Sequence, residues 1–371
     1  SAIVKYQLTE GNRQTVNDAM DVHGGKAIIK GPNNYLSHAY EALPISITVE
    51  GANILTRSLI IFGQGAIRAH PWLLKEMNAA SGRAGTRRDF DNALFSHVGF
   101  TVSNVVRSFM LSFFSSLATR SPVGGPTARY YRYVSRMSAA FALVADAVLL
   151  TLGGKFKFRE TLSGRLADAL IHLYLCSALL KRFEDDGRPA EDLPMLQWGI
   201  EDSLHTVQES LLGVLRNFPV PLLGGVLRGV IFPFGLPYRR PSDRTAKQAA
   251  RLLLSENPSR DRLISGVYVS DARDASGSVH TAFELVLDSA EAEQAIRNAL
   301  KETVTVDNYR ELVRRAVESG VITEEQGARV RLAQEASARV IAVDDFPRSK
   351  IEGDIEQPFR PAVAEGGSVS S

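Results

Sequence analysis

The sequence is short of the residues that mark several large classes of protein. Cys176 is the only cysteine among 371 residues, so a disulfide within the chain is impossible and a site built from several thiolates is excluded. We therefore expect a reducing, cytoplasmic location, with Cys176 as a small buried hydrophobe. Charge of one sign is not in excess either, because Lys plus Arg number 43 and Asp plus Glu number 41. That balance gives no support for a nucleic-acid-binding protein.

Common catalytic and membrane signatures are also missing. No G-x-S-x-G segment occurs, which leaves a hydrolase triad unsupported. His23, His38 and His70 lack the His-Glu-x-x-His spacing, so no metal site is expected. The apolar stretch 218–238, which carries one charge at Arg228, is interrupted by prolines and glycines, and an unbroken transmembrane helix is not expected there. It either packs across a helical bundle or rests in a membrane interface between flanking arginines.

Helical periodicity is what the sequence does contain. Apolar residues recur at three- and four-residue spacing through four long segments between residues 92 and 217, with Gly or Pro at the joints. This pattern predicts an all-α protein: a helical bundle followed by further helices and a helical hairpin. The predicted divisions are a first helical block at 1–78, a linker at 79–91, a four-helix-bundle extension at 92–240, a C-terminal helical region at 241–346 and a disordered tail at 347–371.

One carboxylate lies in unusual surroundings. In the segment ITVEGANILTR, residues 47–57, Glu50 follows apolar residues and precedes Gly51. Apolar surroundings would disfavour its charged form, which suits a general base at neutral pH. Gly51 would let a substrate approach the backbone. The alternative is structural, since Glu also stabilises the first turn of a helix by interacting with the helix dipole.

A second feature, the pair Gly24–Gly25 in VHGGKAI, precedes Glu50 by about one short helix. Adjacent glycines let an anionic group reach backbone N–H groups. A helix C-cap accounts for the same glycines without any ligand. Each feature is weak by itself.

In combination they resemble the C-terminal helical domain of the acyl-CoA dehydrogenases. VNDAMDVHGGKAI and YLSHAYEALPISITVEGANILTRSLI carry the resemblance. HGGKAIIKGPNNYL, LYLCSALLKRFEDDGR, VIFPFG and VDDF narrow it to the large bacterial branch that oxidises fatty acyl-CoA in β-oxidation and has an extra C-terminal domain of unassigned role. The similarity spans about residues 1–346. The block 1–78 would then be the end of the catalytic helical domain.

The resemblance implies a function and residues for it. Glu50 would be the catalytic base that removes the α-proton of the acyl thioester, and Gly51 would contact the substrate. Gly24, Gly25 and Asn53 would bind the cofactor, FAD, which accepts the β-hydrogen as hydride. The product would be trans-2-enoyl-CoA. Asp21 and Ala52 depart from the Gln and Thr that many relatives have at these positions, so no flavin contact is assigned to either.

The resemblance also implies partners. These are a fatty acyl-CoA, an electron-transfer flavoprotein and further copies of the chain, in a homodimer or a dimer of dimers. The chain begins without Met inside a helical pattern, so we expect it to be the C-terminal part of a longer protein and to be inactive alone, without an N-terminal helical domain and a β-domain. The alternative is a non-catalytic helical module that docks on a membrane or a partner.

Overall fold

Helices make up the regular structure of this chain. The computed structural model describes residues 1–81, 86–114, 120–268, 270 and 274–346. Within those ranges every regular element is a helix and no β-strand forms, so the predicted all-α class is confirmed. The predicted disordered tail, 347–371, lies outside the described residues, as do residues 82–85 of the predicted linker.

The helices follow one another with short connections. They are α1 Ala2–His23, α2 Gly25–Ile28, α3 Leu36–Thr48, α4 Asn53–Leu55, the π-helix Thr56–Gln64, α5 Gly65–Ala69, α6 Leu73–Ala80, α7 Arg87–Phe114, α8 Ala128–Leu152, α9 Glu160–Asp185, α10 Leu193–Arg216, α11 Pro221–Ile231, α12 Asp243–Arg251, α13 Pro258–Ile264, α14 Ala275–Leu300, α15 Tyr309–Glu318 and α16 Glu324–Ile341. Two 3₁₀ turns, Gly153–Phe158 and Ala190–Asp192, join the longer helices.

Helix α7 packs against α8, and helices α8, α9 and α10 pack against one another around a common core. Their shared core contains side chains with no exposed surface, among them Met137, Leu166 and Leu211, and each such burial stabilises the fold by about 1.5–3 kcal/mol. Cys176 is wholly buried there, as expected, and this burial raises the pKa of its thiol to about 12. Helix α8 is long and apolar enough to cross a membrane by length and composition. Of its most apolar window, 44% is buried inside the chain.

The chain divides into two compact units. The first comprises Ser1–Gly11 and Ile45–Ser265, and the second comprises Asn12–Pro44 and Gly266–Ser371. In the second unit, the hairpin of α15 and α16 packs through Leu312, Val313 and Val330, and a capping box begins α16 as its sequence predicts. The predicted boundaries at 78 and 240 do not coincide with these units, because contacts distant in sequence tie the segments together. The domain division stays a prediction.

Candidate functional site

The turn after α3 places Glu50 in an unfavourable conformation. Glu50 and Gly51 have φ angles of +54° and +93°, and a left-handed backbone costs a non-glycine residue about 1–3 kcal/mol. The carboxylate also follows the C-terminal end of α3, where the helix dipole disfavours negative charge. The alternative that Glu50 stabilises the first turn of the next helix does not fit, since α4 begins only at Asn53.

Two other non-glycine residues of the described chain have positive φ, and they differ from Glu50 in charge. Arg188 has φ +61° after the end of α9, and Lys301 has φ +56° after the end of α14. Both are cations at helix C-termini, where the dipole favours positive charge. Glu50 is the anion of the three. Its position is therefore not explained by local electrostatics.

The expected oily recess around Glu50 is not formed by this chain. Glu50 is exposed, and so are two of the apolar side chains expected to surround it: Ile45 is 62% exposed and Val49 is 48% exposed, while Ile47 is partly buried. Ile54, on the far side of the turn, is 77% exposed. The expectation was wrong because apolar neighbours of Glu50 in sequence are exposed, as the carboxylate is. We name the three exposed residues Ile45, Val49 and Ile54 the apolar collar.

A bracket of hydrogen bonds holds the turn in place. The Nζ of Lys5 donates to the carbonyl of Gly51 at 3.1 Å and to Oδ1 of Asn53 at 2.7 Å. The Nδ2 of Asn53 donates to Thr9 at 2.9 Å and to Glu10 at 2.7 Å. Both amide hydrogens of this buried asparagine are thus used inside the chain. The cofactor contact predicted for Asn53 is restricted to the second lone pair of Oδ1.

Sequence reasoning did not find Lys5. It lies 46 residues before Gly51, and only the packing of α1 against the turn brings the two together. Arg57, which follows the turn, forms the corresponding connection on the other side: its Nε donates to Asp168 of α9 at 2.7 Å. The shared pair of hydrogen bonds raises the pKa of Arg57. The turn at Glu50 is therefore fixed at both ends.

The diglycine segment belongs to the second compact unit, whereas Glu50, Gly51 and Asn53 belong to the first. Gly24 has φ +59° and donates its N–H to the carbonyl of Met20 at 2.9 Å, so it ends α1 as the capping alternative requires. Capping does not require Gly25. A Cβ at either glycine would meet no atom within 4 Å. The bare backbone of this turn fits the approach of a flat or anionic cofactor such as a flavin.

A cluster that the sequence did not predict joins α6, α7 and α8. Ligand atoms of His70, His97 and Asp146 lie within 4.8 Å of one another, and these residue types are common metal ligands. However, Nδ1 of His70 accepts the N–H of Leu73 at 3.0 Å, so its proton lies on Nε2 and is donated to Asp146 at 3.0 Å. His97 donates from Nδ1 to Glu76 at 2.8 Å. These hydrogen bonds fasten the three helices and leave His70 no lone pair for a metal.

Comparison with known proteins identifies the family. The model of a family described as "Acyl-CoA dehydrogenase, C-terminal, bacterial type" matches residues 67–346, which is more than half of the chain. The chain belongs to this family. No solved structure matches it. The matched range begins after Glu50 and the diglycine segment, so the roles of these residues stay predictions, while the resemblance stated for the C-terminal portion is confirmed.

Proposed function

We propose that this chain is the C-terminal part of a flavin-dependent enzyme that converts fatty acyl-CoA to trans-2-enoyl-CoA in fatty acid β-oxidation. Its family supports acyl-CoA dehydrogenase-type oxidoreduction in general. The observation that carries the specific proposal is the geometry at Glu50. An anion kept at positive φ, beyond the negative end of a helix dipole and bracketed by Lys5, is positioned at a cost in stability.

The chain supplies the base and its support. The Glu50 carboxylate would take the α-proton, and the N–H of the same residue would donate to the thioester carbonyl, which makes that proton acidic enough to remove. Gly51 leaves the backbone open beside them. A bound flavin supplies the acceptor for the hydride from the β-carbon. Gly24 and Gly25 present the bare backbone that would meet it, and an electron-transfer flavoprotein would be the next electron acceptor.

The apolar collar at Ile45, Val49 and Ile54 indicates which class of substrate the site would bind. An exposed set of large apolar side chains around a base is unfavourable in water and suits a fatty acyl chain. The same collar explains why the carboxylate is uncovered here. We propose that another part of the enzyme, or a second copy in a homodimer or a dimer of dimers, closes over it and removes water from Glu50.

The direct test is Glu50→Gln in the intact flavoenzyme. Because general-base catalysis contributes roughly 10²–10⁴-fold, acyl-CoA oxidation should fall by about that factor, with the flavin content unchanged. Glu256→Gln, at another exposed glutamate, is the matched control and should keep full activity. Unchanged oxidation in Glu50→Gln would remove the assignment of Glu50 as the base.

The helix α11 supports a second function, contact with a membrane surface. Its inner face closes the bundle, since Leu227 and Ile231 are buried and the carbonyl of Ile231 accepts from Ser112 at 2.9 Å. Its outer face is apolar and uncovered, with Leu222 79% exposed and Val226 56% exposed. Both sequence alternatives for 218–238 thus have a structural basis, one on each face of the helix.

Exposed aromatic and cationic residues also lie within or beside the segment 218–238. Phe234 is 76% exposed and lies 4.8 Å, centroid to centroid, from Phe113 of α7. Exposed arginines flank the segment at 216, 228, 239 and 240. An apolar surface rimmed by arginines is complementary to an anionic lipid surface. We propose peripheral contact with the cytoplasmic side of the inner membrane through this face.

Flotation with vesicles tests the membrane contact. The chain should float with vesicles containing phosphatidylglycerol and much less with pure phosphatidylcholine, because the arginines require an anionic surface. Leu222→Asp with Val226→Asp should abolish flotation without unfolding, since both side chains point outward. Leu332→Asp, at an exposed leucine of α16, is the control and should float as before. Equal flotation of the double variant would rule out this surface.

A further inference from the structure

Two motifs from opposite ends of the chain meet inside the second compact unit. The loop GPNN, residues 31–34, follows α2, the short helix that begins at Gly25 of the diglycine segment. The segment VDDF, residues 343–346, follows α16. The N–H of Asn33 donates to the carbonyl of Val343 at 3.2 Å, and its Nδ2 donates to the carbonyl of Ala342 at 2.8 Å. We name the set Gly31, Asn33, Ala342 and Val343 the clasp.

Gly31 is the residue that lets the clasp close. A Cβ at this position would lie 2.0 Å from the carbonyl oxygen of Val343 and 2.6 Å from the Cα of Asp344. Both atoms belong to the backbone and cannot rotate away as a side chain would. The two segments are therefore in close backbone contact, and any larger residue at position 31 must separate them.

Hydrogen bonds from the side chain of Asn34, which follows the clasp residue Asn33, connect the clasp to α2. This buried side chain donates from Nδ2 to the carbonyls of Lys26, Ala27 and Ile29, at 3.0, 3.0 and 2.7 Å. Its Oδ1 accepts the N–H groups of Leu36 and Ser37, both at 2.9 Å. A buried amide with so many backbone partners holds its surroundings in one arrangement. A displacement of loop 31–34 is thus transmitted to the segment that carries Gly24 and Gly25.

A cavity of about 230 Å³ lies between the two segments. One side is formed from the diglycine region and the other from the end of α16, and the lining includes Val22, His23, Lys26, Val340, Ile341 and Val343. His23 accepts the hydroxyl of Tyr35 at 2.8 Å, which fixes the ring at the cavity wall. Lys26 forms no ion pair with any described residue. An apolar wall facing an unpaired ammonium group suits a ligand with a ring and an anionic group.

We propose that the end of α16, residues 340–343, is a structural part of the diglycine site. It forms one wall of the cavity and, through the clasp, keeps the diglycine segment in its binding shape. The C-terminal region would then help to bind an anionic, ring-containing ligand. That the ligand is the flavin dinucleotide rests on the proposed function.

Hydrogen exchange of this chain, read by mass spectrometry, tests the clasp without any ligand. In Gly31→Ala, exchange across residues 22–36 and 336–346 should accelerate together, on the order of tenfold, because the clasp opens locally. Asn33→Asp, which keeps the size but removes the Nδ2 donor, should act in the same direction more weakly. Gly99→Ala is the control, since a Cβ there meets no atom within 4 Å. Unchanged exchange at 22–36 in both clasp variants would overturn the proposal.

Addition of FAD to the intact enzyme, stripped of its flavin, separates the two hypotheses, because this chain alone is expected not to retain flavin. Protection of both segments in the unmodified enzyme, reduced in Gly31→Ala, supports the end of α16 as part of the site. Protection of residues 22–36 alone would contradict the proposal that residues 340–343 form part of the site. It would still agree with flavin binding at the diglycine segment. If FAD protects neither segment while the clasp variants still accelerate exchange, flavin binding at the diglycine in the proposed function fails, and the structural coupling through the clasp stands.

Discussion

Glu50 is a charged, non-glycine residue in a left-handed backbone conformation. The cost of this arrangement in stability can be measured. Glycine adopts φ near +54° without strain, and Glu50→Gly also removes a negative charge from the end of a helix dipole. We expect the variant to raise the free energy of unfolding of this chain by about 1 kcal/mol, measured by urea denaturation, although it removes the proposed base.

Lys301→Gly is the matched control for this prediction. Its φ is nearly the same, but its positive charge already suits the helix end, so the gain should be smaller. A loss of stability in Glu50→Gly would show that the turn stores no strain. In that case the backbone geometry would give no support to a catalytic role.

The residues of the turn were partly predictable. The break after α3 and the glycine after Glu50 are visible in the sequence, because apolar periodicity stops there and resumes at Asn53. The bracket from Lys5 was not, since a hydrogen bond across 46 residues leaves no local pattern. Exposure of Ile45 and Val49 was also missed. Hydrophobicity predicts that a side chain is buried, whereas no part of the described chain covers these side chains.

At the scale of elements, an ion pair joins the π-helix Thr56–Gln64 to α9. Arg57 donates to both oxygens of Asp168, and Gly164 leaves space for it, because a Cβ there would lie 2.8 Å from Nη1. The pair is only partly buried, with side-chain exposures of 35% and 23%. A double-mutant cycle with Arg57→Met and Asp168→Asn should therefore give a coupling energy of about 1 kcal/mol.

The exposed pair Arg314–Glu318 on α15 is the control for this cycle. Both side chains are more than half exposed, so its coupling energy should be only about 0.3–0.5 kcal/mol. Equal coupling in the two cycles would mean that Arg57 does not fasten the π-helix to α9. The positions of the long helices were predictable from three- and four-residue spacing. The π-helix was not, since a shift from i−4 to i−5 hydrogen bonds has no signature in an apolar pattern.

For the whole molecule, contacts between residues distant in sequence determine how the helices group into compact units. The clasp joins residues 309 positions apart, and it places 12–44 in one compact unit with the C-terminal helices. The domain boundaries predicted at polar linkers therefore differ from the boundaries of the compact units. The all-α class was predictable because helical periodicity is a local property, whereas the grouping of helices depends on which distant side chains find each other.

The last prediction concerns this chain made alone. The apolar collar at Ile45, Val49 and Ile54 is uncovered and Glu50 is exposed, so the proposed base is neither shielded from water nor aligned against a thioester. The purified chain should be colourless and should not oxidise fatty acyl-CoA, as measured by reduction of an artificial electron acceptor with FAD added. Supplying the N-terminal helical domain and the β-domain that the proposed function requires should restore both colour and turnover. A yellow chain that turns over alone would mean that these 371 residues already close the site, and that the collar is covered in a way the structure does not show.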